Sequence, residues 1–156
     1  MTHLRQIHGH LFQDVYAWAG QFRTIDIAKR QTYFLTNSRL EVGLDYVHGQ
    51  VVKQNFLKAL SADDSAKKAA TVIGDLNYVH PFWEGNGRTQ VVYLKSLGSK
   101  AGHKMDLSRL SPKTWIRASI EATDQSNPRL METAIRAPIT GDTVEGASRR
   151  DHDRAP

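Results

Sequence analysis

His80-Pro81-Phe82-Trp83-Glu84-Gly85-Asn86-Gly87-Arg88-Thr89 is the stretch on which the reading of this chain turns. Proline disfavours helix in the residue before it and has no N–H to donate, so a helix arriving from upstream must end at His80 and can restart only after Gly85. The segment is therefore a helix–loop–helix junction. Gly85 and Gly87 on either side of Asn86 let backbone N–H groups converge on one point, and the helix that follows turns its partial positive end the same way. This makes an anion nest. Arg88, at the helix start, can clasp phosphate oxygens with paired hydrogen bonds. Glu84 would repel a phosphate directly but is well placed to hold a hard cation against it, and magnesium is the natural ion. His80 is the one nearby side chain whose unperturbed pKa lets it accept a proton near neutrality, which suits a general base. Phe82 is expected to point inward and anchor the loop. Base, cation ligand and phosphate nest together describe a site that activates a hydroxyl for attack on a nucleotide phosphate, without a covalent enzyme intermediate. Singly, a histidine before proline is usually a loop residue and Gly-Asn-Gly usually a turn. A plain turn, however, requires no base, no carboxylate and no arginine.

Working outward, Ser61 to Asp64 supplies caps and early acids for a helix through Ala69, Ala70, Ile73 and Leu76 that reaches His80. Leu40, Leu44, Val47, Val51 and Phe56 mark the buried stripe of a long helix capped by Asn37 or Ser38. Leu4, Ile7, Leu11, Phe12, Val15 and Trp18 fall at helical spacing and predict a first helix from Leu4 to Trp18, stopped by Gly20. Between these helices, Phe22 to Ala28 alternates Ile25 and Ile27 with Thr24 and Asp26. With the β-prone stretch Thr32 to Leu35 it predicts a small hairpin. Downstream we expect a helix from about Gly87 to Leu97, a Gly98 to Gly102 loop, a helix begun by Ser111-Pro112 and a short one begun by Asn127-Pro128. No internal repeat is visible. Beyond Pro138 few apolar residues remain, so residues 138–156 are expected to be a disordered tail and residues 1–137 the folded domain. The predicted fold class is all-α with one β-hairpin.

The composition suits that reading: 156 residues, 40% hydrophobic and 24% charged, are enough for one well-buried domain. The absence of cysteine excludes a disulfide scaffold, a thiolate zinc site and a cysteine nucleophile. A net charge of +5 would suit an anionic partner, but no basic run exceeds two residues and no basic stripe alternates with aromatics, which argues against nucleic acid. The phosphate-loop pattern G-x-x-x-x-G-K-[ST] and the zinc pattern H-E-x-x-H are both missing. His8 and His10 lie two apart, diverge on a helix and are expected at the surface. Apolar runs are short and Met1 leads into polar Thr2 and His3, so neither a spanning helix nor a signal peptide is expected, and the chain is expected to be cytoplasmic with no membrane partner.

The junction resembles the signature of the Fic (filamentation induced by cyclic AMP) family, H-x-F-x-[DE]-G-N-G-R-x-x-R, at every position except the last. The similarity extends upstream through Ile7-His8 to Phe12, Asp14-Val15-Tyr16-Ala17-Trp18-Ala19-Gly20 and Arg23-Thr24, and covers about Leu4 to Thr123. It implies a Fic-type helical fold with a hairpin flap, and transfer of AMP from ATP to a Ser, Thr or Tyr hydroxyl of a target protein, assisted by Mg2+. His80 would take the hydroxyl proton, Glu84 would hold the metal, Gly85, Asn86 and Gly87 would bind the phosphates, and Arg88 would neutralise charge on the leaving end. The flap, Thr24 to Leu35, would dock the target by strand addition and bracket the nucleotide through Lys29, Arg30 and Thr32. Trp115 either walls an adenine pocket or fills the core.

The departure from the pattern is Val91, where the family's second arginine would contact the γ-phosphate. Relatives that act as kinases carry lysine in place of the nest's second glycine, and Gly87 argues against that chemistry. Val91 leaves three readings open: weak use of ATP, a different diphosphate-linked donor, or a catalytically weakened target-binding module. The resemblance also implies a toxin or an effector secreted into a host cell, with an inhibitory antitoxin-like partner. The self-inhibitory pattern [ST]-x-x-x-E-[GN] is approached only at Glu145-Gly146, where Gly141 stands in the Ser/Thr position, so no self-inhibition by that route is expected.

Overall fold

In the computed structural model, which describes residues 1–142, the chain opens with α1 (Thr2–Phe12), burying Leu4, Ile7, His8 and Phe12. The predicted continuation to Trp18 does not form. The Phe12 carbonyl accepts the N–H groups of both Val15 and Tyr16, and turns carry the chain to Gly20. Val15 is 67% exposed and so has no buried face to join, while Tyr16 and Trp18 stack on each other at 4.3 Å. The hairpin follows, far shorter than the alternation suggested: β1 (Ala28–Lys29) runs antiparallel to β2 (Thr32–Tyr33), with Ala28 opposite Tyr33 and Lys29 opposite Thr32. A two-stranded ribbon has no buried face to reward alternation, and Ile25 is exposed.

A single 3-10 turn, Asn37–Arg39, leads into α2 (Leu40–Lys53), which buries Leu40, Leu44, Val47 and Val51. Neither Asn37 nor Ser38 caps it through a side chain; instead the Asn37 N–H donates to Asp26 Oδ1 at 2.6 Å and ties the helix entrance to the hairpin. Phe56 lies beyond the helix, half-buried in a left-handed turn. The next helix, α3 (Ala62–Val79), starts as predicted, with the Ser61 hydroxyl accepting the Asp64 N–H at 3.1 Å and Asp63 and Asp64 in its first turn.

After the His80 loop, α4 runs from Asn86 to Ala101, four residues past the predicted end at Leu97. Gly98 is not a stop. A Cβ there would lie 2.3 Å from Met105 Sδ, so the glycine is a slot for the next strand, β3 (His103–Met105), and the helix ends at left-handed Gly102. Two helices complete the set. α5 (Pro112–Asp124) is capped by Ser111. α6 (Arg129–Arg136) begins where the Asn127 side chain accepts the Arg129 N–H at 3.2 Å.

The tail expected from residue 138 is corrected in its first part. Residues Ile139–Asp142 form β4, antiparallel to β3, and Ile139 is 7% exposed within the core. One apolar side chain and a ladder partner suffice to order this stretch; residues 143–156, with Glu145 and Gly146, lie outside the described residues. Among the described residues the molecule is thus mainly helical with two small antiparallel sheets. α3 sits at its centre, packed by α2, α4, α5 and α6, and its Ala66, Ala69 and Ala70 let those neighbours approach closely. Because α3 is gripped along its whole length, the residue at its C-terminal end is held in place.

Candidate active site

That residue is His80. It caps α3 in a left-handed conformation, φ 48°, that a non-glycine residue adopts only at a cost of roughly 1–2 kcal/mol. Bonds on both sides of the residue offset this cost. The His80 N–H donates to the Leu76 carbonyl at 3.0 Å, and the His80 carbonyl accepts Arg23 Nε at 2.7 Å. The imidazole is fixed as firmly: Nδ1 donates to the Asn77 carbonyl at 3.0 Å, which leaves Nε2 as the acceptor. Phe34, just beyond β2, stacks on the ring at 3.6 Å and 10°. Burial lowers the His80 pKa to about 4; the Asn77 hydrogen bond raises it, and the positive charges of Lys29 and Arg23 lower it further. The ring is neutral and can accept a proton at Nε2 throughout the neutral range.

Asn77 itself is held from two sides. Its Nδ2 donates to Thr123 Oγ1 at 2.7 Å, and its Oδ1 accepts Gln90 Nε2 at 3.1 Å, so α5 and α4 both bear on the residue that orients the imidazole.

The loop that follows is closed from within. Phe82, 1% exposed, anchors it as expected. Its N–H donates to Asn86 Oδ1 at 3.0 Å and its carbonyl accepts Asn86 Nδ2 at 2.7 Å. The Asn86 side chain is therefore committed to the loop, and its backbone N–H, the group the nest reading uses, is left for a ligand. Gly85 has φ +81°, and a Cβ on it would lie 2.4 Å from the Phe12 ring. A Cβ on Gly87, by contrast, would meet no protein atom within 4 Å. Nothing in the protein requires glycine there. The Thr89 N–H makes the first bond of the new helix, to the Gly85 carbonyl at 3.1 Å, so the amides of Asn86, Gly87 and Arg88 precede the hydrogen-bonded ladder.

Around this helix start stand the charged residues. Arg88 is exposed, its guanidinium carbon 5.8 Å from the Phe12 ring centroid, and no carboxylate among the described residues pairs with it. Glu84 is exposed, and no cluster of three or more acidic or histidine side chains forms among the described residues. One carboxylate beside a phosphate site fits Mg2+, which commonly takes one or two protein carboxylates and completes its shell with substrate phosphates and water. Lys29 and Arg30 lie exposed on the hairpin, and Lys29 is near enough to lower the His80 pKa. Thr32 is drawn elsewhere: its hydroxyl bonds the Asp124 carboxylate at 2.8 Å, making it a strut from the hairpin to the end of α5. Trp115 is 5% exposed and packs within the core.

Two residues of consequence were misjudged or overlooked. Arg23 is 2% exposed, and its guanidinium donates to four backbone carbonyls: His80 and Ile25 at 2.7 Å each, Val79 at 3.0 Å, and Leu35. It joins both flanks of the hairpin to His80. His8, expected at the surface, is fully buried beneath the loop. Its sequence signal was present but unread, since Leu4 and Phe12, one turn away on each side, share its buried face.

The Fic/DOC family profile matches residues 1–97. Protein adenylyltransferase VbhT of Bartonella schoenbuchensis is 36% identical over 144 residues, 92% of this chain and 30% of the relative. Probable protein adenylyltransferase y4lH of Sinorhizobium fredii is 37% identical over 122 residues, 78% of this chain and 64% of the relative. The chain thus spans less than two thirds of either relative. Among solved structures, the VirB-translocated effector BepC of Bartonella tribocorum with bound AMPPNP superposes with a TM-score of 0.83 at 27% identity, over 91% of this chain and 75% of that one. The N-terminal Fic domain of a VirB-translocated effector of Bartonella quintana with bound ADP gives 0.83 at 29% identity, over 90% and 73%.

Proposed function

The chain belongs to the Fic/DOC family, and from that premise we propose that it is a protein adenylyltransferase, moving AMP from ATP to a Ser, Thr or Tyr hydroxyl of a target protein. The observation that carries this reading is His80, with Nδ1 held by the Asn77 carbonyl and Nε2 left as acceptor, six residues before a helix that opens with free amides. Nε2 takes the proton of the target hydroxyl as its oxygen attacks the α-phosphorus. The bond from that phosphorus to the bridging oxygen breaks, pyrophosphate leaves, and the proton passes from His80 to solvent. The N–H groups of Gly85, Asn86, Gly87 and Arg88, with the Arg88 guanidinium, hold the phosphate oxygens. Glu84 would hold Mg2+, which when bound neutralises phosphate charge. Lys29 and Arg30 flank the nucleotide from the hairpin. Relatives named protein adenylyltransferase and neighbours solved with AMPPNP and ADP support ATP as co-substrate.

The target docks along the hairpin region Thr24 to Leu35, whose short ladder leaves a strand edge for it. The two neighbours above are VirB-translocated effectors, which supports an effector acting in a host cell; a toxin acting in its own cytoplasm, with an antitoxin-like inhibitory partner, is the alternative that the family resemblance implies. No helix among the described residues is long and apolar enough to cross a membrane. The test is incubation with labelled ATP and a bacterial or host lysate, comparing the wild type with His80→Ala by mass of modified proteins. Label that persists in the variant would reject His80 as the base.

A second reading rests on Val91, which lies half-buried against the core and offers no charge to a ligand. Loss of one charge-assisted contact weakens the grip on ATP by about 1.5–3 kcal/mol, which would favour another diphosphate-linked donor or a weakened binding module. Val91→Arg raises ATP turnover if the position is an eroded contact, and leaves it flat if the donor has changed.

A further inference from the structure

Directly under the Glu84–Gly85 peptide lies a buried imidazole that the chemistry above does not use. His8 Nδ1 accepts the Gly20 N–H at 2.9 Å, and Nε2 lies 2.9 Å from the Glu84 carbonyl oxygen. These contacts fix the tautomer. A nitrogen that accepts from an amide carries no hydrogen, so the neutral ring bears its proton on Nε2 and donates it to Glu84. Phe82 stacks on the ring at 3.9 Å and 16°, and Phe12, one turn along the same helix face, packs at 4.7 Å. The ring has no freedom to turn.

A trans peptide is planar, with its C=O and N–H pointing in opposite directions. Drawing the Glu84 carbonyl down onto His8 therefore aims the Gly85 N–H up, away from the core and toward the side where the α4 amides open. Phe12, against which a Cβ on Gly85 would collide, supports the same peptide from below. We propose that His8 is a positioning residue of the phosphate cradle: its Nε2–H holds the Glu84–Gly85 peptide in the orientation that presents the Gly85 N–H to a nucleotide's phosphate oxygens. The proposal rests on the reading of the loop as a phosphate site, but not on AMP transfer.

Two substitutions separate this role from packing. Asn at position 8 places its oxygen near the place of Nδ1 and keeps the Gly20 bond while losing the donor to Glu84. Gln places its amide nitrogen near Nε2 and keeps the donor while losing the Gly20 bond. Binding of ADP and of inorganic pyrophosphate is measured by calorimetry on the whole chain, with melting temperature recorded for each variant. His8→Asn should weaken both ligands by about tenfold, the equivalent of about 1.4 kcal/mol, and His8→Gln should restore them to within about threefold of wild type. Equal losses in the two variants, no loss in either, or the reverse order would each overturn the proposal. If a variant does not fold, amide NMR of the wild type decides: the Gly85 N–H resonance shifts on titration with pyrophosphate, and a resonance that stays put refutes the role. Wild-type protein that binds ADP yet transfers no AMP would sink the transferase reading and leave the role of His8 standing.

Discussion

Replacing Arg23 with methionine keeps the bulk of the side chain and removes all five of its N–H donors. Four backbone carbonyls, those of Ile25, Leu35, Val79 and His80, then lose their partner at a site where the side chain is 2% exposed. A buried acceptor left unpaired costs about 1–3 kcal/mol. Removing a buried cation recovers some desolvation, and water reaches part of the hairpin side, so the lower end applies and the net loss is about 4 kcal/mol, within the usual range for breaking a buried charged network. For a domain of this size that corresponds to a fall in melting temperature of about 10 °C. Arg23→Lys is the sharper variant, because an ammonium keeps the charge but cannot fork to carbonyls lying on both flanks of the hairpin and at the end of α3. Urea titrations at pH 7.5 should place both variants at least 2 kcal/mol below wild type. Transfer activity, measured well below either midpoint, should fall further than the unfolded fraction explains, because the left-handed turn at His80 loses one of its restraints. A lysine variant within 1 kcal/mol of wild type would show that charge alone matters and refute the argument from geometry.

Further outcomes follow from the same site. Because the folded His80 pKa lies near 4, below the unfolded value of 6.5, the unfolded chain binds more protons between these limits. The contribution is intact above pH 6.5 and is lost as pH falls toward 4, about 3 kcal/mol in all; urea midpoints against pH measure it, and an acid limb of kcat/KM centred near 6.5 would contradict it. Phe34→Ala uncovers the ring and should raise that limb toward 6.5. Gly85→Ala should destabilise by about 2 kcal/mol through its φ and the Phe12 ring, whereas Gly87→Ala should change stability by less than about 1 kcal/mol yet weaken ADP binding; calorimetry and melting curves on both variants separate the two glycines. Thr32→Val and Asp124→Ala each remove the same strut, so a double-mutant cycle on transfer rate should show the pair costing no more than either alone. Additive losses would restore Thr32 to direct contact with the nucleotide.

Much of this arrangement could be read before any coordinates, wherever the controlling interaction was local. Pro81 and the Gly85-Asn86-Gly87 turn placed the loop, Ser61 and Ser111-Pro112 placed helix starts, and the apolar spacing in α2 and α3 named the core. Failures came where partners were distant or a residue had two physical uses. Gly98 reads as a stop and serves as a slot, because its neighbour Met105 belongs to a later strand. β3 and β4 are too short to carry a pattern, and their pairing joins segments far apart in the chain. Arg23 carries part of the family resemblance, but its structural role had no sequence signal, since its partners are carbonyls, which every residue possesses. Thr32 fits the bracket that the family resemblance implied until Asp124, from another helix, claims its hydroxyl.

The hairpin is secured at its roots and hardly at all along its length. Arg23 grips both flanks, the Leu35 N–H bonds the Tyr78 carbonyl at 3.0 Å, Thr32 braces against Asp124, and the ladder itself has only two residue pairs. Ile25, Ala28 and Tyr33 enter that anchorage only through their backbone, and their side chains are exposed. If a target docks along this edge as proposed, those side chains can be exchanged without disturbing Phe34 over the imidazole. On that proposal, recognition and chemistry are free to drift at different evolutionary speeds.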